Sequence, residues 1–299
     1  MEKIHYLGVD IGGTKVAFRV EADAECVDET AFPWGPRHSA VRDLAQLGSF
    51  VGELRTRLGV SFRAVGAAVP ATVGPSGRVT AWPSRPEWAG TDLAVALPAL
   101  FPGAAVAWAD DGDLGALAEA RRSGCDDLLY LGVGTGVGGG LVLNGELCPG
   151  LGRGSFEIGH LVVEMGGPRC LCGRRGCLQA IASGPATLRR ATRLRGRTVP
   201  FDDLRQAWCD GRPWAVSVIR PACRALAVAA IGVQELVHPR LVLLGGGFAS
   251  GIPGFVEAVS AHLAELARPG LLPLPVRPAA SGGLSSLHGA VLLARLAAP

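Results

Sequence analysis

Four potential metal ligands lie close together in the middle of the sequence: His160, Cys170, Cys172 and Cys177. One imidazole nitrogen and three thiolates form the donor set that a tetrahedral Zn²⁺ ion prefers. Neighbouring glycines give the backbone the freedom that a tight metal-binding loop requires. Three cysteines at this spacing could also be chance, or a disulfide with one thiol left over. The N-terminus does not have the pattern of a signal peptide, which argues against the disulfide and favours a structural zinc site.

A glycine turn near the N-terminus has the residues needed to bind a phosphate. It lies between two apolar segments, residues 4–9 and 16–20, that are predicted strands. A strand–turn–strand unit can direct backbone N–H groups at a phosphate. An ordinary hairpin turn without a ligand is the alternative interpretation of the same residues. The sequence has no G-x4-G-K-[ST], so the turn is not a P-loop. The candidate phosphate-binding residues are Asp10, Gly12, Gly13, Thr14 and Lys15.

Two later glycine runs have the same setting. Residues 127–140 again read as strand, turn and strand, with Gly134, Thr135 and Gly136 in the turn. A third run follows an apolar segment that begins at residue 239. It consists of Gly245, Gly246 and Gly247. A single G-x-G carries little information, but its recurrence after predicted strands indicates a set of nucleotide-binding loops.

Three carboxylates lie where a predicted strand, residues 106–108, meets a predicted helix, residues 114–122. They are Asp110, Asp111 and Asp113. Negative charge at the start of a helix interacts favourably with the helix dipole, so capping explains all three. A carboxylate in reach of a substrate hydroxyl can also act as a general base.

The remaining pattern predicts a strand at residues 64–69 and helices at 41–58, 185–195, 201–210, 219–237 and 287–295. Residues 81–90 hold two prolines and two tryptophans, which form either a stiff loop or a surface loop with core tryptophans. The arginine-rich segment 189–197 is predicted to be a solvated helix face and loop.

Composition limits the function classes. The 299 residues suggest two domains, and 48% hydrophobic with 18% charged residues is typical of a folded globular protein. A net charge of +3 gives no case for nucleic-acid binding. No uninterrupted apolar run reaches the length of a membrane span. We therefore expect a cytoplasmic protein with no membrane partner.

The segments E-I-G-H at 157–160, C-x-C-G-x-x-G-C-L at 170–178 and A-S-G at 182–184 together resemble the signature of the ROK family (repressors, open reading frames, kinases). The resemblance implies an α/β fold of two actin-like, ribonuclease H-like domains with a cleft between them. The smaller domain is expected at residues 1–113, closed by a C-terminal helix at about 287–299. The larger domain, residues 114–286, would carry the zinc loop.

The same resemblance implies ATP and Mg²⁺ as cofactors beside a structural Zn²⁺. Asp10 would lie near the Mg²⁺–phosphate end, the first two glycine turns would hold phosphates, and Gly245–Gly247 would lie against adenosine. Asp111 takes the place of the catalytic aspartate in the family's Asn-Asp-Ala-Asn run. Asp110 and Asp113 replace the two flanking asparagines.

Sugar-binding roles are implied for Glu157 and His160, with His160 also binding zinc. Ser84 stands where the sugar-covering loop has asparagine, and Gln179 stands where the family has glutamate. Asp110 therefore adds a carboxylate on the side of the sugar's C3 and C4, while Gln179 removes one on the side of C1 and C2. Crowded carboxylates need a cation, and a protonated amine on the sugar would be one.

The expected function is ATP-dependent phosphorylation of the 6-hydroxyl of a glucose-like sugar, such as kanosamine (3-amino-3-deoxyglucose) or glucose itself. A C7-cyclitol kinase of antibiotic biosynthesis and a non-catalytic, sugar-sensing ROK regulator are the alternatives. A repressor would need a DNA-binding domain before the first glycine turn, and the first predicted strand begins at residue 4. Family members imply a homodimer or homotetramer.

Overall fold

The computed structural model describes residues 3–35, 39–150 and 153–298. The first half of the chain contains, in order, β1 (His5–Ile11), β2 (Lys15–Ala22), β3 (Glu25–Pro33), α1 (Ala40–Leu58), β4 (Phe62–Ala68), β5 (Thr72–Val73), β6 (Val79–Ala81), α2 (Leu93–Leu100), β7 (Ala105–Ala109) and α3 (Asp111–Ser123). The second half contains β8 (Leu128–Val133), β9 (Val137–Leu143), β10 (Glu146–Cys148), α4 (Leu178–Ala182), α5 (Gly184–Arg195), α6 (Phe201–Cys209), α7 (Pro213–Val237), β11 (Leu241–Gly245), α8 (Gly247–Gly251), α9 (Phe255–Leu266), β12 (Val276–Pro278) and α10 (Ser285–Ala297).

The chain divides into two compact units. Unit 1 consists of residues 1–118, 149–155 and 284–299, and unit 2 consists of residues 119–148 and 156–283. The sequence boundary between them falls inside α3. Each unit has its own hydrophobic core.

The two large sheets have the same topology. Unit 1 has the strand order β3-β2-β1-β4-β7, and unit 2 has the order β10-β9-β8-β11-β12. In both, the first three strands in chain order form antiparallel pairs and the last two join in parallel. This repetition is the architecture of two similar α/β domains that the family resemblance implied.

Helix packing in unit 1 depends on small residues. A Cβ on Gly66 of β4 would collide with the carbonyl oxygen of Ala290 in α10, so only glycine lets the helix lie this close to the sheet. On helix α1, the apolar residues Leu47, Val51 and Leu54 recur at helical spacing and are all buried. Burying a side chain of this size contributes about 1.5–3 kcal/mol, which makes this stripe the main support of α1.

Helix α7 is longer than predicted. It begins at Pro213 rather than at residue 219, because proline is favoured in the first turn of a helix, and it continues through Pro221. By length and composition α7 could cross a membrane, although charged residues interrupt its apolar sequence. Its buried residues pack against α4, α5, α6 and α9, so α7 is a core helix of unit 2.

The prediction that segment 189–197 is a solvated helix face and loop does not hold for Arg190. Its guanidinium donates to the carbonyl oxygen of Val218, at 2.6 Å from Nη2, and to that of Ile181, at 3.1 Å from Nη1. Burial lowers the pKa of Arg190. This side chain therefore ties α5 to α7 inside unit 2.

Candidate active site and metal centre

One edge of the unit 1 sheet gathers the acidic candidates. Strands β1, β4 and β7 run parallel, with Asp10 paired with Ala68, and Ala68 paired with Ala109. Asp110 follows β7 directly, and α3 begins at Asp111. The carboxyl ends of parallel strands are where open α/β sheets place their ligands. The topology thus places Asp10 and the Asp110–Asp111 pair at the same edge.

Asp10 is half-buried and accepts a hydrogen bond from the hydroxyl of Ser286, at 2.9 Å from its Oδ2. Burial raises the pKa of Asp10, while the bond from Ser286 and the charge of Lys15 oppose that rise. A desolvated carboxylate beside a glycine turn is the kind of group that a hydrated Mg²⁺ ion would stabilise in its charged form.

Asp110 caps helix α3. Its Oδ1 accepts the backbone N–H of Gly112 at 2.9 Å, and its carbonyl oxygen accepts the N–H of Leu114 at 3.0 Å. Asp111, the first helical residue, is half-buried, whereas Asp113 is 6% exposed. The capping role considered from the sequence is therefore present for Asp110.

The first glycine turn is held from one side by residues that the sequence did not single out. Trp34 donates from its backbone N–H to Thr14 and from its indole Nε1 to Gly12, at 3.0 and 2.8 Å. The guanidinium of Arg85 donates to the carbonyl oxygen of Gly13 at 3.1 Å. Thr14 and Lys15 are exposed.

Ser84, next to Arg85, is exposed but lies against the turn. A Cβ on Gly13 would be 2.5 Å from its Oγ. The loop predicted to cover the sugar and the first glycine turn are therefore in contact within unit 1.

The second and third glycine runs lie together in unit 2. Parallel strands β8 and β11 pair Gly132 with Gly245, so both turns leave the same edge of the sheet. Gly246 has a φ of 85°, and a Cβ there would come within 2.5 Å of backbone atoms of Val133. This close approach explains why glycine occupies the position.

The Gly134–Gly136 turn is closed by its own backbone. Gly134 donates to Gly136 at 3.0 Å and accepts from Gly184, at the start of α5, at 2.9 Å. Thr135 and Gly136 are exposed, as is Gly247 after the third run. The glycine pattern predicts that N–H groups of these exposed turns bind a nucleotide.

In the E-I-G-H segment, Glu157 is exposed and precedes a 3₁₀ turn, Ile158–His160. A Cβ on Gly159 would collide with the carbonyl oxygen of Val137, so the glycine lets this turn pack directly on β9. His160 is half-buried at the end of the turn.

The four candidate ligands converge. The ligand atoms of His160, Cys170, Cys172 and Cys177 all lie within 4.8 Å of one another. The Cys172 and Cys177 sulfurs are 3.6 Å apart, and Cys170 Sγ is 3.8 Å from His160 Nδ1. Two sulfurs bound to one tetrahedral zinc at about 2.3 Å would be separated by about 3.8 Å, whereas a disulfide needs about 2.05 Å. All eight cysteines are free. The donor set thus fits a metal ion and not a disulfide.

Two thiols of the cluster differ in acidity. The pKa of Cys172 is lowered to about 6, first by a hydrogen bond from the backbone of Arg174, and Cys172 is exposed. Burial raises the pKa of Cys177. Beside them, Gln179 donates from Nε2 to the sulfur of Cys170 at 3.4 Å.

Comparison with known proteins identifies the family. Residues 6–297 match the ROK family profile. A protein of Amycolatopsis mediterranei (strain S699) named kanosamine kinase is 66% identical over 294 residues, which cover 98% of this chain and 97% of that protein. The chain belongs to the ROK family. As ROK proteins do, it combines two α/β units of sugar kinase type, and the fold class predicted from the sequence is confirmed.

Solved ROK structures agree along the whole chain. A ROK hexokinase from Thermus thermophilus aligns with a TM-score of 0.86 at 31% identity and covers 98% of each chain. A ROK family glucokinase from Streptomyces griseus, in complex with glucose and AMPPNP, aligns with a TM-score of 0.81 at 25% identity. That alignment covers 98% of this chain and 99% of the glucokinase.

Proposed function

We propose that this chain is an ATP-dependent sugar kinase that phosphorylates the 6-hydroxyl of kanosamine. The observation that carries the proposal is the 66% identity to a protein named kanosamine kinase along nearly the whole of both chains. The ROK glucokinase that contains glucose and AMPPNP supports the same reaction type.

Phosphoryl transfer depends on positioning and on neutralising charge. In the proposed mechanism, backbone N–H groups of Gly13 and Gly136 would hold phosphates, and Asp10 would orient hydrated Mg²⁺. Gly246 lets the adenosine lie against backbone. The bound Mg²⁺ would neutralise charge on the transferred phosphate.

Asp111 is the proposed general base. It would accept the proton of the 6-hydroxyl as the sugar oxygen bonds to the terminal phosphorus of ATP, while the bond from that phosphorus to the bridging oxygen breaks and ADP leaves. As the first residue of α3, its carboxylate interacts favourably with the positive end of the helix dipole. This position fixes the side chain on a rigid element rather than on a loop.

Asp110 is the proposed partner of the sugar's amine. Its Oδ1 caps α3, but asparagine caps a helix about as well as aspartate. Capping therefore does not require a charge at Asp110, where the family has asparagine. Binding a protonated amine would favour a charged residue here. A carboxylate accepts the hydrogen bonds that the amine donates and also supplies the opposite charge.

Zinc is proposed to have a structural role in unit 2. Four protein ligands would leave the ion no open position, so it would not activate a water molecule. It would instead fix His160, whose second ring nitrogen, together with Glu157, would contact the sugar. Gln179 and Ser84 remain proposed sugar contacts, and a homo-oligomer and a cytoplasmic location remain predictions.

The test is a coupled assay of ADP release with purified protein and a panel of acceptors. Values of kcat/KM for kanosamine, glucosamine, glucose and a valiolone-type cyclitol are compared. We expect kanosamine to give the highest value. A higher value for glucose would make this chain a glucokinase, a higher value for the cyclitol would favour the cyclitol kinase, and no turnover with any acceptor would favour the sugar-sensing regulator.

A further inference from the structure

A buried network in unit 1 holds the first glycine turn from behind. The side chain of Arg85 is fully buried, and its Nη1 donates to Asp43 Oδ2 at 2.6 Å. The same oxygen accepts the indole N–H of Trp88 at 2.7 Å. Asp43 belongs to the first turn of α1 and is 3% exposed. One carboxylate on a rigid helix thus holds both ends of the Arg85–Trp88 segment.

The other face of the guanidinium reaches the turn. Arg85 Nε donates to the carbonyl oxygen of Gly13 at 3.1 Å, and its Cζ lies 4.3 Å from the centre of the Trp34 ring. Trp34 itself binds the carbonyl oxygens of Gly12 and Thr14. Three consecutive carbonyl groups of the turn are therefore bound: two by the stacked side chains of Trp34 and Arg85, and that of Thr14 by the backbone N–H of Trp34.

Binding these carbonyls orients the opposite side of the turn. In a trans peptide the N–H of each residue points away from the carbonyl oxygen of the residue before it. The N–H groups of Gly13, Thr14 and Lys15 therefore point away from Arg85 and Trp34. Successive N–H groups held in this way form an anion-binding concavity.

Stability alone does not account for this arginine. Replacing a buried ion pair by apolar residues of similar volume is often neutral or stabilising. The Arg85–Asp43 pair differs from a simple ion pair because the same guanidinium also binds Gly13: Nη1 donates to Asp43 and Nε donates to Gly13. Its planar shape sets the distance between α1 and the turn.

We propose that Arg85 is a positioning residue that presets the Gly12–Thr14 turn for the phosphates of ATP. It does so by tying the turn to Asp43 and to the loop that carries Ser84. This inference deepens the proposed function and rests on it, because it assigns the turn to the nucleotide. The Arg85 side chain is fully buried, so its effect on nucleotide binding would pass through the backbone of Gly13.

The main variant is Arg85→Met combined with Asp43→Asn. It removes both charges together, so that no unpaired charge stays buried, and the asparagine oxygen can still accept from Trp88. The matched control is Arg295→Met with Glu21→Gln. Arg295 also pairs with a carboxylate and lies over an aromatic ring in unit 1, with Glu21 at 3.0 Å and the Tyr6 ring centre at 4.6 Å, but it is less buried than Arg85. The control pair does not contact the turn.

Calorimetry measures the Kd of Mg²⁺–AMPPNP, and kinetics measures KM for ATP and kcat. We expect both the Kd and KM to rise about tenfold in the main variant, the loss typical of one charge-assisted hydrogen bond, and to change less than twofold in the control. Equal effects in the two variants, or an unchanged Kd in the main variant, would overturn the inference.

Arg85→Lys separates positioning from folding. Lysine keeps a cation beside Asp43 but lacks the planar fork that reaches Gly13 as well. We expect an unfolding midpoint near that of wild type together with a raised Kd for AMPPNP. A Kd for AMPPNP equal to that of wild type in Arg85→Lys would contradict the inference. If the double variant does not fold, Arg85→Lys is the variant that tests the inference.

The proposed function can fail separately. A wild-type chain that binds AMPPNP but phosphorylates no sugar would contradict the proposed function and leave the Arg85 comparison intact. A wild-type chain that does not bind AMPPNP would overturn both.

Discussion

The side-chain amide of Gln179 donates a hydrogen bond to the sulfur of Cys170, with 3.4 Å between Nε2 and Sγ. An ionised glutamate, which the family resemblance has at this position, has no proton to donate. The departure from glutamate therefore has an explanation at the metal cluster, besides the one proposed at the sugar. A donor to a ligating thiolate stabilises its negative charge and fixes its orientation.

We expect purified protein to contain about one Zn²⁺ per chain, and Gln179→Met to weaken zinc binding about 10-fold to 100-fold because the thiolate loses its donor. Competition with a chromophoric chelator measures the affinity. Gln206→Met, on exposed surface of α6, is the control. Equal zinc affinity in the two variants would show that the amide does not support the metal, and zinc-free wild-type protein would remove the metal site altogether.

Asp111→Asn should lower kcat about 10²-fold to 10⁴-fold, the usual contribution of a general base. The Kd of AMPPNP should stay near that of wild type, because the amide keeps the size of the side chain. Steady-state kinetics and calorimetry check the two values. If Asp111→Asn retained near-normal activity, the base would be another residue, with Asp110 and Asp113 as the first candidates.

Asp110→Asn should shift the preference from kanosamine towards glucose. Removing a half-buried charge pair costs on the order of 1 kcal/mol, which corresponds to a several-fold fall in the kanosamine-to-glucose ratio of kcat/KM. The unfolding midpoint should not change, since asparagine also caps α3. An unchanged ratio would mean that Asp110 does not bind the amine.

Asp10→Asn should make the protein more stable and far less active. Burial raises the pKa of Asp10, so holding its charge costs stability at pH 8. The stabilisation by asparagine should be present at pH 8 and disappear as the pH falls and Asp10 becomes protonated. Activity should fall about 10²-fold or more, because Mg²⁺ loses a carboxylate.

Thermal unfolding at several pH values measures the first effect, and ATP turnover measures the second. Asp23→Asn, at an exposed turn position between β2 and β3, is the control, and it should change neither the unfolding midpoint nor ATP turnover. A midpoint difference for Asp10→Asn that does not depend on pH would contradict the assignment.

Local pattern was sufficient for most of the fold. The alternation of apolar residues and glycines predicted the strand–turn–strand units at Asp10 and Gly134, and both are antiparallel pairs in the structure. The spacing of apolar residues predicted residues 41–58 as a helix, and α1 covers residues 40–58. These elements were predictable because their determinants are adjacent in sequence.

The supports of the turn were not predictable in the same way. Arg85 meets Asp43 and Gly13, which are 42 and 72 residues away in the sequence. Nothing local distinguishes a buried arginine in a proline-rich loop from an exposed one. The only available signal was its position between Trp82 and Trp88, both of which are buried. Pairing across such distances is set by tertiary packing, which a single sequence does not display.

The most direct test of the account is the identity of the product. Purified protein is incubated with kanosamine, ATP and Mg²⁺, and the product is examined by mass spectrometry and by phosphorus–proton correlation NMR. The account predicts one added phosphate on the oxygen of C6, with stoichiometric ADP. Phosphate on another oxygen, or kanosamine recovered unchanged under conditions in which glucose is phosphorylated, would contradict it.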